Sequence, residues 1–365
     1  MRIAQIAPLT ESVPPRQYGG IERVVSFLTE QLVAMGHDVT LFASGDSVTR
    51  AMLVAGWPRA LRFEPSIRDT IAPHMLMMEQ VYRRAEQFDV LHFHTDYWPF
   101  SLFSRQSTPF LTTLHGLLDL PELAPIYESF PHVPLVSISD AQRRPLPQVT
   151  FTKTIHHGIP ENLLNPQPVR QEYVAFLGRI SPEKGVDKAI RIAGKAGLKL
   201  KIAAKVDSAD KKYYESEIWP LIQASPWVEF IGEINDAQKS EFLSGAHALL
   251  FPIDWPEPFG LVLIESLACG TPVIAFNRGS VPEVIEHGTT GFIVDDEAQA
   301  LATIPQARQL SRKAIRQRFE ERFTARRMAM DYLALYRRLT ARTHAGGDID
   351  AAVVDVPSSE LRACL

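Results

Sequence analysis

Two successive series of strand–helix–strand units, joined by short turns, restrict this chain to parallel α/β sheets. The first forty residues show the unit. A short apolar strand, Ile3 to Ala7, leads through a Pro/Gly-rich loop to an amphipathic helix from Ile21 to Met35. Gly36 stops that helix, and Val39 to Ala43 reads as a second strand. Strand, helix and strand in so little chain require a right-handed crossover between parallel neighbours. The alternation continues with a helix near Met75 to Gln87 and strands Val90 to Phe93, Phe110 to Leu114 and Leu135 to Ile138.

The texture changes from Pro145 to Tyr173, where prolines and glycines separate short strand fragments, and the interdomain connection is placed here. A second series follows: strand Tyr173 to Leu177, helix Gly185 to Lys195, strand Leu200 to Ala204, helix Lys211 to Gln223 and strand Val228 to Ile231. Helix Asp236 to Gly245, strand Ala248 to Pro252, helix Leu261 to Ala268 and strand Pro272 to Ala275 complete it. The expected fold class is therefore α/β, with two Rossmann-like, doubly wound parallel-sheet domains, over 1–160 and 161–324. A length of 365 residues suits two such domains.

Residues 308–342 read as helical and basic, with eleven Lys or Arg against three acids. The apolar positions Ile315, Phe319, Phe323, Met330, Leu333, Tyr336 and Leu339 fall mostly three or four apart, which predicts a packing face rather than a membrane-lying helix. From 344 to 365 the chain is small, acidic and unpatterned, and a mobile tail is expected.

Bulk properties exclude several function classes. A net charge of −4 offers no global attraction to nucleic acid. Two cysteines, Cys269 and Cys364, supply neither a disulfide framework nor a Cys-ligated zinc. With no secretory leader pattern at Met1 and no apolar run of membrane-spanning length, the cytoplasm is the default location.

Ligands of doubly wound sheets bind beyond the C-terminal ends of the strands, so the loops there matter most. Tyr18-Gly19-Gly20-Ile21-Glu22 puts two glycines at a helix start, where free N–H groups suit an anion, although an ordinary turn has the same appearance. Gly178-Arg179 through Lys184-Gly185 brackets one loop with two cations, fitted to a diphosphate. The stretch Pro256-Glu257-Pro258-Phe259-Gly260-Leu261 to Glu265 and Gly270-Thr271-Pro272 carries two acids eight residues apart. Even in a continuous helix they would stand about 12 Å apart along the axis. That is too far for the carboxylate pair of a retaining glycosidase, about 5 Å apart. It suits an extended ligand, with one acid at a sugar and the other at a ribose. His94 and His115, each just past a strand, are expected to face the cleft, with His92 on the other side. His-x-His without a placed third ligand gives no metal site, and His156-His157 stands in the same position. Asp348-Ile349-Asp350 matches an Asp-x-Asp metal motif but sits in the tail. Neither a Gly-x-Gly-x-x-Gly nor a Walker loop occurs.

Taken in order, these elements resemble the retaining glycosyltransferases of family 4, from Ile3 to about Leu339. The Glu257 to Glu265 element is the most specific part, supported by Arg179, Lys184, Gly19-Gly20, the Leu114-His115 strand end and Ser280-Val281-Pro282-Glu283-Val284 to Gly291. The resemblance implies the GT-B fold, two domains facing across a cleft, with a C-terminal helix of about 325–343 crossing back to the first domain. It implies that Arg179 and Lys184 grip the diphosphate of a nucleotide sugar, helped by the N–H groups of Gly260 and Leu261. Glu265 would take the ribose hydroxyls, Glu257 the donor sugar, and His115 the sugar from the other domain. Gly19 and Gly20 would line the cleft floor. No metal or other cofactor is implied, nor a dedicated protein base, Asp96 being the nearest candidate. Uridine is the first expectation for the base and guanosine the second. The acceptor is expected to be a small molecule or glycan, since residues 1–160 carry 13 Lys or Arg against 15 acids and no basic membrane face. The alternative is a catalytically silent GT-B scaffold that binds a nucleotide sugar or a protein partner. A sucrose-like or trehalose-like product is the remaining, narrower option.

Overall fold

The computed structural model describes residues 1–16 and 19–344. Tyr18, the expected mobile tail from 345 and Asp348-Ile349-Asp350 lie outside the described residues. Among those described, thirteen strands form two parallel sheets. The first contains β1 (Arg2–Ile6), β2 (Asp38–Ser44), β3 (Met52–Trp57), β4 (Val90–Phe93), β5 (Phe110–Thr113), β6 (Leu135–Ser137) and β7 (Lys153–Thr154), in the order β3-β2-β1-β4-β5-β6-β7. The second contains β8 (Tyr173–Arg179), β9 (Lys199–Lys205), β10 (Val228–Gly232), β11 (Ala246–Phe251), β12 (Val273–Phe276) and β13 (Gly291–Val294), ordered β10-β9-β8-β11-β12-β13. Each sheet reverses its winding once, between β1 and β4 and between β8 and β11. These are the switch points at which such sheets open a crevice for ligands.

The central strands are apolar on both sides because helices cover both faces. Val174, Phe176, Leu200 and Ile202 pack beneath the helix Val186–Ala196, while Ala175, Leu249, Leu263 and Leu267 form the core on the other face. The helix expected over Lys211 to Gln223 is present but contains a π turn, Tyr214–Ile218, just before Pro220. Proline has no N–H for the regular ladder, so a local register change is its natural neighbour.

The basic C-terminal stretch is two helices rather than one, Arg312–Arg322 and Ala325–His344. The break has a tertiary cause. Ile159 N–H donates to the Phe323 carbonyl (3.0 Å), and Ala325 N–H donates to the Ile159 carbonyl (2.8 Å), so the connecting segment clips the chain open. Gly158 is needed there, because a Cβ would overlap the Thr324 carbonyl. The apolar face is accordingly divided between domains. Ile315, Phe319 and Phe323 join the core of the second sheet, whereas Met328, Tyr332, Leu333 and Tyr336 pack on Ile3, Val24, Leu28 and Val90 of the first. Met330, expected on the packing face, is 54% exposed. No described helix is long and apolar enough to cross a membrane.

Candidate functional site

The loops at the two switch points face each other, and the sequence places chemistry on both. In the second domain, β8 ends at Arg179 and β11 runs into the Pro252–Gly260 loop. Gly185, at φ +70°, lets these loops touch, since a Cβ there would overlap the Pro252 carbonyl. The Asp254 N–H donates to the Glu183 carbonyl at 2.8 Å and ties them together.

Lys184 Nζ lies 2.5 Å from Glu257 Oε2, and the Trp255 indole N–H donates to the same oxygen at 2.9 Å. The ammonium also sits 4.4 Å from the centre of the Trp255 ring, a cation–π contact. Arg179 is held by Glu183 (2.5 Å) and Asp210 (3.2 Å). Burial works to raise the Glu183 pKa, but hydrogen bonds and the Arg179 charge outweigh it and hold the carboxyl below its ordinary value. The pocket is therefore not simply cationic, because each cation already has a carboxylate partner. Gly279, at φ +53°, presses on the backbone of Glu257, and Ser280 N–H donates to the Glu257 carbonyl at 2.9 Å. The loop carrying this acid is thus held from behind.

Glu265 occupies the helix Leu261–Ala268 and is 2% exposed. Its Oε1 accepts from Lys239 Nζ at 2.8 Å, with Arg23 at 3.6 Å, while its buried Oε2 has no hydrogen-bond partner among the described residues. The two acids thus have separate partners. Gly260, at φ +82°, caps that helix, so the first N–H groups, at Leu261 and Val262, have no intrahelical acceptor.

In the first domain, Gly19 is needed for close packing against Pro15 and Glu22, whereas a Cβ on Gly20 would meet nothing within 4 Å. Past β4 and β5 the histidines form a cluster. His94 Nδ1 lies 2.9 Å from His115 Nε2, and His94 Nε2 lies 2.9 Å from Gln5 Oε1. His92 is on the same side, its ring 4.1 Å from that of His94, which corrects the expected opposite placement. Residues two apart on a strand share a face. His157 stacks on His115 at 5.3 Å. Burial pushes the His115 pKa down to about 3 and holds His92, His94 and His157 well below the ordinary range, so all four are neutral at physiological pH. No group of three metal-ligating side chains gathers among the described residues. Asp96 has φ +49°, an unusual conformation for a side-chain-bearing residue, and burial raises its pKa to about 6.

Several participants were given no role from sequence, Glu283 having been named only as part of the Ser280–Gly291 stretch. Arg23 spans the domains to Asp236 and Glu265. Glu283 accepts from the N–H groups of Asp140 and Ala141 (both 2.7 Å) and sits 3.2 Å from His156. Ser139 Oγ donates to the Pro258 carbonyl at 2.6 Å, joining the first domain to the Glu257 loop. Trp255 had the best chance of detection, standing two positions before Glu257.

Comparison with known proteins bears on the family and the fold. The family model described as glycosyl transferases group 1 matches residues 165–322, and that of glycosyltransferase family 4 matches residues 18–152. An uncharacterized glycosyltransferase of Methanocaldococcus jannaschii is 25% identical over 342 residues, covering 80% of this chain and 85% of that one. A phosphatidyl-myo-inositol mannosyltransferase of Mycobacterium leprae is 25% identical over 325 residues, covering 80% and 83%. Among solved structures, Anabaena HepE in complex with UDP and glucose superposes with a TM-score of 0.71 at 17% identity, covering 93% of this chain and 100% of that one, a likeness of fold.

Proposed function

The chain belongs to the family 4 glycosyltransferases of GT-B fold, and from that premise we propose that it moves a hexose-type sugar from a nucleotide diphosphate donor to an acceptor hydroxyl with retention of anomeric configuration and without a metal. The observation that carries this reading is the Lys184–Glu257 pair beside Arg179 at the β8/β11 switch point. When donor binds, its diphosphate takes Arg179 and Lys184 from their carboxylates, aided by the free N–H groups at the start of helix Leu261–Ala268. These charges, fixed in a desolvated crevice, stabilise the pyrophosphate as its bond to the anomeric carbon breaks. Glu257, freed from Lys184, accepts from sugar hydroxyls, and the unpartnered Oε2 of Glu265 accepts from the ribose. His115 contacts the sugar from the first domain, with Gly19 and Gly20 lining the cleft floor near the phosphates. The acceptor oxygen attacks on the face the diphosphate leaves, and its proton passes to the departing phosphate oxygen.

Uridine is the preferred base, supported by the UDP seen in HepE, with guanosine second. The preferred acceptor is a small molecule or glycan, on the charge balance of the first domain. A second reading takes a lipid-borne acceptor. Ile71, Met75 and Leu76 on the helix Ile71–Tyr82 are 57%, 43% and 55% exposed, and the Mycobacterium leprae relative is named for a phosphatidylinositol substrate. Liposome pelleting separates the two, since the preferred reading requires the protein to stay in the supernatant. Donor hydrolysis separates enzyme from silent scaffold. UDP-glucose and GDP-mannose are offered without acceptor, and release of UDP or GDP in the presence of EDTA supports the proposal. Tight nucleotide binding with no turnover on any donor contradicts it.

A further inference from the structure

The buried histidines do more than fill space, because the hydrogen bonds around His94 and His115 assign their protons. All are neutral by burial, so each ring has one N–H and one lone pair. The Gln5 amide nitrogen donates to Tyr336 Oη at 3.1 Å, which leaves its Oε1 to accept from His94 Nε2. His94 Nδ1 is then the lone-pair nitrogen, and the 2.9 Å contact requires His115 Nε2 to carry the proton. The network continues through His92, whose Nδ1 lies 2.7 Å from Tyr336 Oη and whose Nε2 lies 2.7 Å from Thr113 Oγ1, which meets Tyr332 Oη at 2.9 Å. One end of the network is the helix Ala325–His344, returning from the second domain. The other end is His115, 8% exposed, whose Nδ1 is buried and has no hydrogen-bond partner among the described residues.

We propose that His94 is a positioning residue for sugar transfer, fixing His115 as the tautomer whose free Nδ1 accepts a hydrogen bond from a donor-sugar hydroxyl, with Gln5 and Tyr336 fixing His94 in turn. The inference rests on the reading of His115 as the sugar contact. It adds a specificity rule: the sugar must present a hydroxyl hydrogen, not an acceptor or a bare C–H, to this nitrogen. A buried lone pair left facing a deoxy position is penalised twice, by the lost bond and by the unmet desolvation.

The test uses the full chain. 15N-histidine NMR at neutral pH should show His115 protonated at Nε2 and bare at Nδ1. In turnover of UDP-glucose, His94→Leu should lower kcat/KM about tenfold and shrink discrimination against monodeoxy UDP-glucose analogues, as expected for loss of one oriented hydrogen bond. His94→Asn, which restores an acceptor near the Nδ1 position, should recover activity to within about threefold. Equal losses in the two variants, or a His115 proton found on Nδ1, would overturn the proposal. The NMR result on the unmodified protein stands even if His94→Leu folds poorly. A silent His115→Ala would instead overturn the underlying reading of the sugar contact, which keeps the two failures distinct.

Discussion

Lys184 and Glu257 neutralise one another in the free protein, with Nζ 2.5 Å from Oε2 and the Trp255 indole bonded to the same carboxylate oxygen. A pair so placed has two uses. It offsets the cost of burying either charge alone, and on the proposed function it holds ready a cation and an acceptor for the ligand to separate. In the proposed reaction the diphosphate would recruit the lysine and the sugar the glutamate.

Glu257→Gln keeps the shape of the side chain but removes its charge. Turnover should fall about 100-fold, the scale of one misplaced polar group at a reacting centre, whereas UDP affinity should change less than about threefold. Arg179→Ala should instead weaken UDP binding at least tenfold, and turnover with it. Isothermal titration with UDP beside steady-state kinetics checks both, and equal mild effects would remove the assigned roles.

Gly279→Ala should destabilise without touching a ligand. The position is held at φ +53°, and a Cβ would overlap the Glu257 backbone. Strain and overlap together should cost about 2–4 kcal/mol. Denaturant melts read this directly, and an unchanged midpoint would mean that the loop is free to move back.

Glu283 links the domains with a pH signature. Burial alone would raise its pKa, but His156 and the N–H groups of Asp140 and Ala141 outweigh it, so the folded value lies below the unfolded one. Its contribution is fully present above the unfolded carboxyl pKa of about 4.3 and is lost as pH falls through the lower folded value. Glu283→Gln should therefore lower the melting temperature at pH 7, with a gap from the unmodified protein that narrows as pH drops below about 4.

Asp96 should behave in the opposite sense. Burial raises its pKa to about 6, so the folded state holds the proton more tightly, and stability falls as pH rises through that value. Asp96→Asn, which tolerates the left-handed backbone, should stabilise the fold at pH 8 by roughly 1 kcal/mol, discounted for partial exposure, and leave it unchanged at pH 4. Paired thermal melts at the two pH values test the sign.

What was legible in the sequence follows from what is local. The strand Val90–Phe93 and the helix Leu261–Ala268 fall where their apolar patterns put them. The edge strand β3 went unread because Met52–Trp57 is half exposed and shows no alternation, and its ladder to β2 is what makes it a strand. β13 and the helix Glu297–Ala307 were likewise not picked out. The helix break at Phe323 and Thr324 is imposed by Ile159, far away in sequence. At the site, the cations and acids were legible by their spacing, but their partners were not. Asp210, Lys239, Arg23 and Gln5 meet their targets only through the fold, and a single sequence has no signal for a contact between residues 5 and 336.

The account is tested most directly by a crystal structure of the protein with UDP-glucose. It predicts diphosphate oxygens within hydrogen-bonding distance of Arg179 and Lys184, ribose hydroxyls on Glu265 Oε2, and Lys184 drawn away from Glu257. A nucleotide bound with its ribose remote from Glu265, or with Lys184 still paired to Glu257, would contradict it.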